Sequence, residues 1–112
     1  MNSVHITGRL TADPELHTSS SAKTVAEFSI AVNYRGGDEV DFFDVVAWDK
    51  QAEAIGQHLS KGRKVLVDGY LKQQKWETPE GAKRQRVEIV AQQVEFLDFR
   101  RQEGPAAEEE PF

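Results

Sequence analysis

The chain has 112 residues, 38% of them hydrophobic, and a formal net charge of −5. That length suits one domain with a modest core, and no apolar run approaches the roughly 20 residues a membrane-spanning helix requires. Without cysteine, disulfides, thiolate zinc sites and cysteine nucleophiles are all excluded. The opening "MNSVHITGRL" lacks the basic, apolar, small-residue order of a signal peptide, so a cytoplasmic location is the expectation.

The negative total conceals an uneven distribution. Residues 103–112 hold four glutamates and no base, and without them the balance is 14 bases against 15 acids. Residues 61–86 carry eight bases against three acids, whereas residues 38–53 carry six acids and only Lys50. A locally basic face matters more to a polyanion than the overall sum.

In chain order, "SVHITGRL" reads as a first strand, with Gly8 marking a bulge or tight bend. "TADPELHTSSSAK" reads as a loop punctuated by Asp13-Pro14. In "TVAEFSIAVNY", Phe28, Ile30 and Val32 alternate with Glu27, Ser29 and Asn33, the pattern of a half-buried antiparallel strand. "RGGDE" follows as a hairpin loop and "VDFFDVVAW" as a third strand. Phe43, Val45 and Ala47 share one parity there and are expected in the core, leaving Phe42 and Trp48 on the other face.

The period then changes. Ala52, Ile55 and Leu59 recur at helical spacing, with Asp49 as the expected N-cap and Gly62 as the C-terminal stop. "RKVLVDGYLKQQKW" is a long strand interrupted by Gly69, "TPEG" a turn, and "KRQRVEIVAQQVEFLDF" a last strand with a break expected near Gln92. This order predicts an all-β protein with one helix. It is that of a five-stranded OB-fold barrel whose helix falls between strands three and four, occupying residues 1–100. Residues 101–112, rich in Pro, Ala and Glu, are expected to form a short disordered acidic tail.

Four segments in this order carry a family resemblance: "VHITGRLTADPEL", "AEFSIAVN", "DFFDVVAWDKQAE" and "LSKGRKVLVDGYLKQQKW", together with the chain end "EEEPF". The chain resembles the bacterial single-stranded DNA-binding proteins from about Met1 to Phe99. The resemblance implies an OB-fold, assembled as a homotetramer, that coats single-stranded DNA without strong sequence preference in replication, recombination and repair. It also implies a nucleoid-associated location and recruitment of replication and repair proteins through the tip Glu108, Glu109, Glu110, Pro111 and Phe112. Three departures stand out: the "RGGDE" loop is short, Asp44 stands where some members carry a base, and the linker before the tip is very short.

Sequence-independent binding of a single strand combines aromatic faces that stack on bases with cations that follow the phosphates. Trp76, at a strand end just before "TPEG", and Trp48 are the leading stacking candidates, joined by Phe42 and Tyr34. Lys50, Lys61, Lys72, Lys75, Arg84 and Arg86 are the phosphate-binding candidates, with Lys83 and Arg9 able to extend the track. Solvated surface lysines are the plain alternative.

Catalysis is not expected. His5, His17 and His58 are scattered without metal-ligand spacing, and no phosphate-binding glycine loop or nucleophile elbow occurs. No cofactor or metal is therefore expected. The competing function is an OB-fold protein–protein adaptor or replication accessory subunit with weak DNA binding, favoured by Asp44 and the acidic 38–53 segment.

Overall fold

The computed structural model describes residues 1–33 and 38–97. Six strands and one helix follow in order: β1 (Val4–Leu10), β2 (Glu15–Thr18), β3 (Thr24–Asn33), β4 (Val40–Trp48), α1 (Asp49–His58), β5 (Lys64–Glu77) and β6 (Lys83–Phe96). Neighbouring strands run β1-β5-β6-β4-β3-β2, and an additional β1–β3 pairing closes the sheet into a ring. Five of these six pairings are antiparallel, and β4 pairs with β6 in parallel through Val45↔Ile89 and Val46↔Val90.

β2 lies within the segment expected to be a loop. It pairs with β3 from Glu15↔Glu27 to Thr18↔Thr24, while β1 meets the same strand at Arg9↔Ala31 and Leu10↔Ile30. The two short strands therefore succeed one another beside β3, so the ring has five strand positions as expected. By chain order the helix follows the fourth strand rather than the third, because β2 adds one to the count.

The inward side of the ring is apolar: Leu10, Ala26, Phe28, Ile30, Val45, Ala47, Val65, Val67, Ile89 and Ala91 are buried together. Ala52, Ile55 and Leu59 of the helical segment join them, so α1 plugs the barrel with its one apolar stripe. Full burial of a side chain such as Ile30 or Ile55 contributes about 1.5–3 kcal/mol each. Phe43, expected inside, is 37% exposed although it shares the parity of Val45. It lies in the first half of β4, opposite Ile30 of β3, which is itself fully buried.

Two glycines answer to close approach. A Cβ on Gly8 would lie 2.7 Å from the carbonyl oxygen of Ala31, where β1 crosses to β3. One on Gly69 would lie 2.0 Å from the carbonyl oxygen of Val90. At that point Asp68 pairs with Gln93 but Gly69 with Ala91, leaving Gln92 as an extra residue on β6. The expected break near Gln92 is thus a bulge inside a continuous strand. It reverses the parity of β6: Ile89 and Ala91 point inward before it, Val94 and Phe96 after it.

The helix boundaries differ from expectation at both ends. Trp48 occupies the cap position with no side-chain cap bond, and Asp49 is the first helical residue, at φ 58°. The chain turns off an extended strand there, and aspartate is among the few residues that tolerate the left-handed region. The helix stops at His58, with Leu59 donating its N–H to the Ile55 carbonyl, before Gly62 is reached. Gly62, at φ 89°, instead shapes the following turn and donates its N–H to the Leu10 carbonyl at 2.8 Å.

Candidate nucleic-acid interface

The outward face of the sheet follows from the register. Val25 pairs with Trp48, Glu27 with Val46, Ser29 with Asp44 and Ala31 with Phe42 across β3 and β4. On the other side Tyr70 pairs with Val90, Lys72 with Glu88, Gln74 with Arg86 and Trp76 with Arg84 across β5 and β6. The parallel Val46↔Val90 pair joins the two halves into one surface. Beyond the ring, β5 and β6 continue as a two-stranded arm that ends in the "TPEG" turn, held by hydrogen bonds between Thr78, Gly81 and Ala82.

A groove of about 670 Å³ runs over this face, with Trp48, Tyr70, Lys72, Trp76, Arg86 and Glu88 among its lining residues. A second recess, around the arm, is lined by Trp76, Lys75, Lys83, Arg84, Glu77 and Gln85. Trp76 belongs to both. Trp48 is 40% exposed, Trp76 48% and Phe42 66%, so all three are displayed rather than packed away. Large apolar rings left on one polar-rimmed face mark a contact surface for a ligand.

The predicted residues divide accordingly. Trp48, Trp76, Lys72 and Arg86 meet in one groove, and Phe42 shares its face by register. Arg84 and Lys75 line the recess of the arm, although Lys75 has the opposite parity to Trp76. Lys50 on α1 and Lys61 in the turn after it line neither; the Lys61 backbone N–H donates to Asp13 Oδ1 at 2.9 Å. Tyr34 and the tip residues Glu108–Phe112 lie outside the described residues.

Two residues that line the groove do not stand out in the sequence. Tyr70 shares the parity of Lys72, Gln74 and Trp76 along β5, a signal that was readable but hidden behind Gly69. Glu88 is an acid just beyond the base-rich 61–86 segment. It is only 8% exposed, and it accepts a hydrogen bond from Gln74 Nε2 at 2.8 Å and from Arg86 Nη2 at 3.5 Å. Arg86 is therefore partly neutralised, and Lys72 with the arm cations carries more of the positive field. Nearby, His17 Nε2 lies 3.5 Å from Glu27 Oε2, and Ser29 Oγ donates to Asp44 Oδ1 at 2.7 Å. Among the described residues no group of three or more His, Asp or Glu is arranged to hold a metal ion, and no helix is long and apolar enough to cross a membrane.

A small closed barrel of five strand positions, plugged by one helix and displaying aromatics and cations on its outer face, defines an OB-fold. Comparison with known sequences narrows this class. The chain belongs to the single-strand binding protein family, whose profile matches residues 1–97. It is 46% identical over 103 residues to the single-stranded DNA-binding protein of Treponema pallidum, a match covering 87% of this chain and 58% of that relative. Single-stranded DNA-binding protein 3 of Clostridium acetobutylicum is 40% identical over 104 residues, covering 88% and 72% of the two chains. Single-stranded DNA-binding protein 1 of Staphylococcus aureus is 40% identical over 103 residues, covering 88% and 66%. The chain thus spans less than two thirds of the length of the Treponema relative.

Proposed function

We propose that this protein binds single-stranded DNA without strong sequence dependence, by stacking bases on Trp48 and Trp76 while Lys72, Arg84 and the neighbouring arm cations attract the phosphates. The observation that carries the reading is the display of both tryptophans along one groove together with these bases. Family membership and the names of the relatives support it. Phe42 and Tyr70 extend the same face, and stacking on each additional ring adds about 1–3 kcal/mol per base.

The finer reading assigns the protein to replication, recombination and repair, with partners docking on the tip Glu108–Phe112 and no catalytic activity of its own. Assembly into a homotetramer multiplies the footprint of one small barrel. An edge of β1 supports assembly between copies: among the described residues its second side pairs with a strand only at Arg9 and Leu10. Unpaired strand edges invite pairing with another chain.

The test is a titration of the full chain with oligo-dT, followed by tryptophan emission at low and high salt. Deep quenching with affinity that falls as salt rises is the expected result. A folded protein whose emission does not respond at low salt would instead favour the adaptor reading.

A further inference from the structure

The cations that line the groove all stand on one side of it. Lys72 belongs to β5 and Arg86 to β6, and the recess of the arm adds Lys75, Lys83 and Arg84 from the same two strands. Trp48 belongs to the other side, built by β2, β3 and β4. Among the described residues, that side lines the groove with two titratable groups, His17 of β2 and Glu27 of β3. The register sets His17 in one row with the tryptophan: His17 pairs with Val25, and Val25 with Trp48. Two strand spacings, about 10 Å, separate them.

His17 and Glu27 also hold each other. The imidazole Nε2 lies 3.5 Å from Glu27 Oε2, with the two side chains 50% and 46% exposed. Beside them β4 presents Val46 and Trp48, and the charges across the groove are Lys72, Arg86 and Glu88. Glu15 shares the parity of His17 on β2 and, with Asp44 of β4, lines the adjoining recess. Lys23, in the turn from β2 to β3, does not line the groove. The helix lies against the opposite face of β2, where Leu16 closes on Gly56. A phosphate beside a base stacked on Trp48 thus meets one imidazole that decides the local balance. Uncharged, His17 leaves the Glu27 carboxylate facing the strand path, and the phosphate is repelled. Protonated, it cancels that charge or turns to the phosphate itself, because exposed ion pairs contribute little and exchange readily. Either response adds one positive charge on the Trp48 side.

We propose that His17 is a further phosphate contact of this groove, active only while its imidazole is protonated, so that affinity for a single strand rises as pH falls. The inference rests on the DNA-binding reading and adds a pH-dependent contact to it. Histidine is the side chain whose charge ordinarily changes between about pH 5 and 8. Thymine and the phosphodiester hold their charge across that range, so any change in oligo-dT binding there arises in the protein.

The experiment titrates the full chain with oligo-dT across a salt series at about pH 6 and about pH 8, by tryptophan quenching, for wild type, His17→Gln and His17→Lys. In wild type the slope of log affinity against log salt is expected to steepen at the lower pH toward one further phosphate contact, a change of about 0.7–1. His17→Lys is expected to keep the steep slope at both pH values, and His17→Gln the shallow one. β2 is exposed throughout, so both variants are expected to fold, which thermal melting checks. A wild-type slope that ignores pH, or a pH response that His17→Gln retains, overturns the inference and leaves DNA binding standing. So does a folded His17→Lys as shallow as His17→Gln, since charge is then not what His17 supplies. Absence of quenching at both pH values removes the binding reading and this inference with it.

Discussion

Trp76 and Lys72 share one strand and one parity, yet the physics assigns them different work. A stacked ring contributes through area and dispersion with any base, so Trp76→Ala is expected to weaken oligonucleotide binding by about 1–3 kcal/mol at all salt concentrations. In the proposed reading Lys72 acts through phosphate neutralisation. Lys72→Ala is expected to lower the slope of log affinity against log salt by about one while altering affinity similarly for all sequences. Isothermal titration across a salt series separates the two. An unchanged slope in Lys72→Ala would place that cation off the phosphate path. At this scale Trp48, Trp76 and Phe42 were legible because alternation in a strand assigns faces directly. Lys50 and Lys61 fall outside the groove and the recess of the arm, because proximity in sequence to an aromatic or a turn does not fix the direction of a side chain on a helix or loop. Glu88 became visible only when cross-strand register placed it opposite Lys72.

Strands with a regular apolar period announced themselves; those imposed by a neighbour did not. β3 from Ala26 to Ala31 and β5 from Lys64 to Tyr70 alternate, and their buried residues follow the alternation. β2 is four residues long and exposed throughout, so "ELHT" holds no periodic signal; the edge of β3 makes it a strand. Gln92 illustrates the intermediate case. The sequence showed an irregularity there, because Ile89 and Ala91 fall out of phase with Val94 and Phe96, but not that pairing continues across it. This bulge depends on Gly69. Gly69→Ala would drive a methyl group into the Val90 backbone, which cannot give way as a side chain could. The expected cost is of the order of 3 kcal/mol, read as a lowered midpoint in urea unfolding. A midpoint within error of wild type would show that the hairpin can shift its register to accept the methyl group.

Along the whole chain the charges separate: a basic arm, a recess lined by Asp13, Glu15, Glu27, Asp44 and Glu88 with Arg86, and four glutamates within residues 103–112. A polyanionic segment on the same chain as the proposed DNA-binding face would compete with the phosphates it resembles. Deleting residues 103–112 is expected to raise affinity for oligo-dT severalfold at low salt and to leave it unchanged at high salt, where screening removes the competition. Equal affinities for both chains at low salt would show that the tail does not reach the groove.

The closure of the ring also orders events in time. β1 is made first, but from Val4↔Gly69 to Arg9↔Lys64 its partner lies about sixty residues later in the chain. At synthesis rates of about 5–20 residues per second, that stretch of β1 waits roughly 3–12 s for β5 to exist. Only the Arg9 and Leu10 end can settle earlier, on β3. A chain stalled before residue 64 therefore presents an unsatisfied N-terminal strand to its surroundings, and the seam between the first strand and the fifth is where nascent copies are most open to pairing with one another.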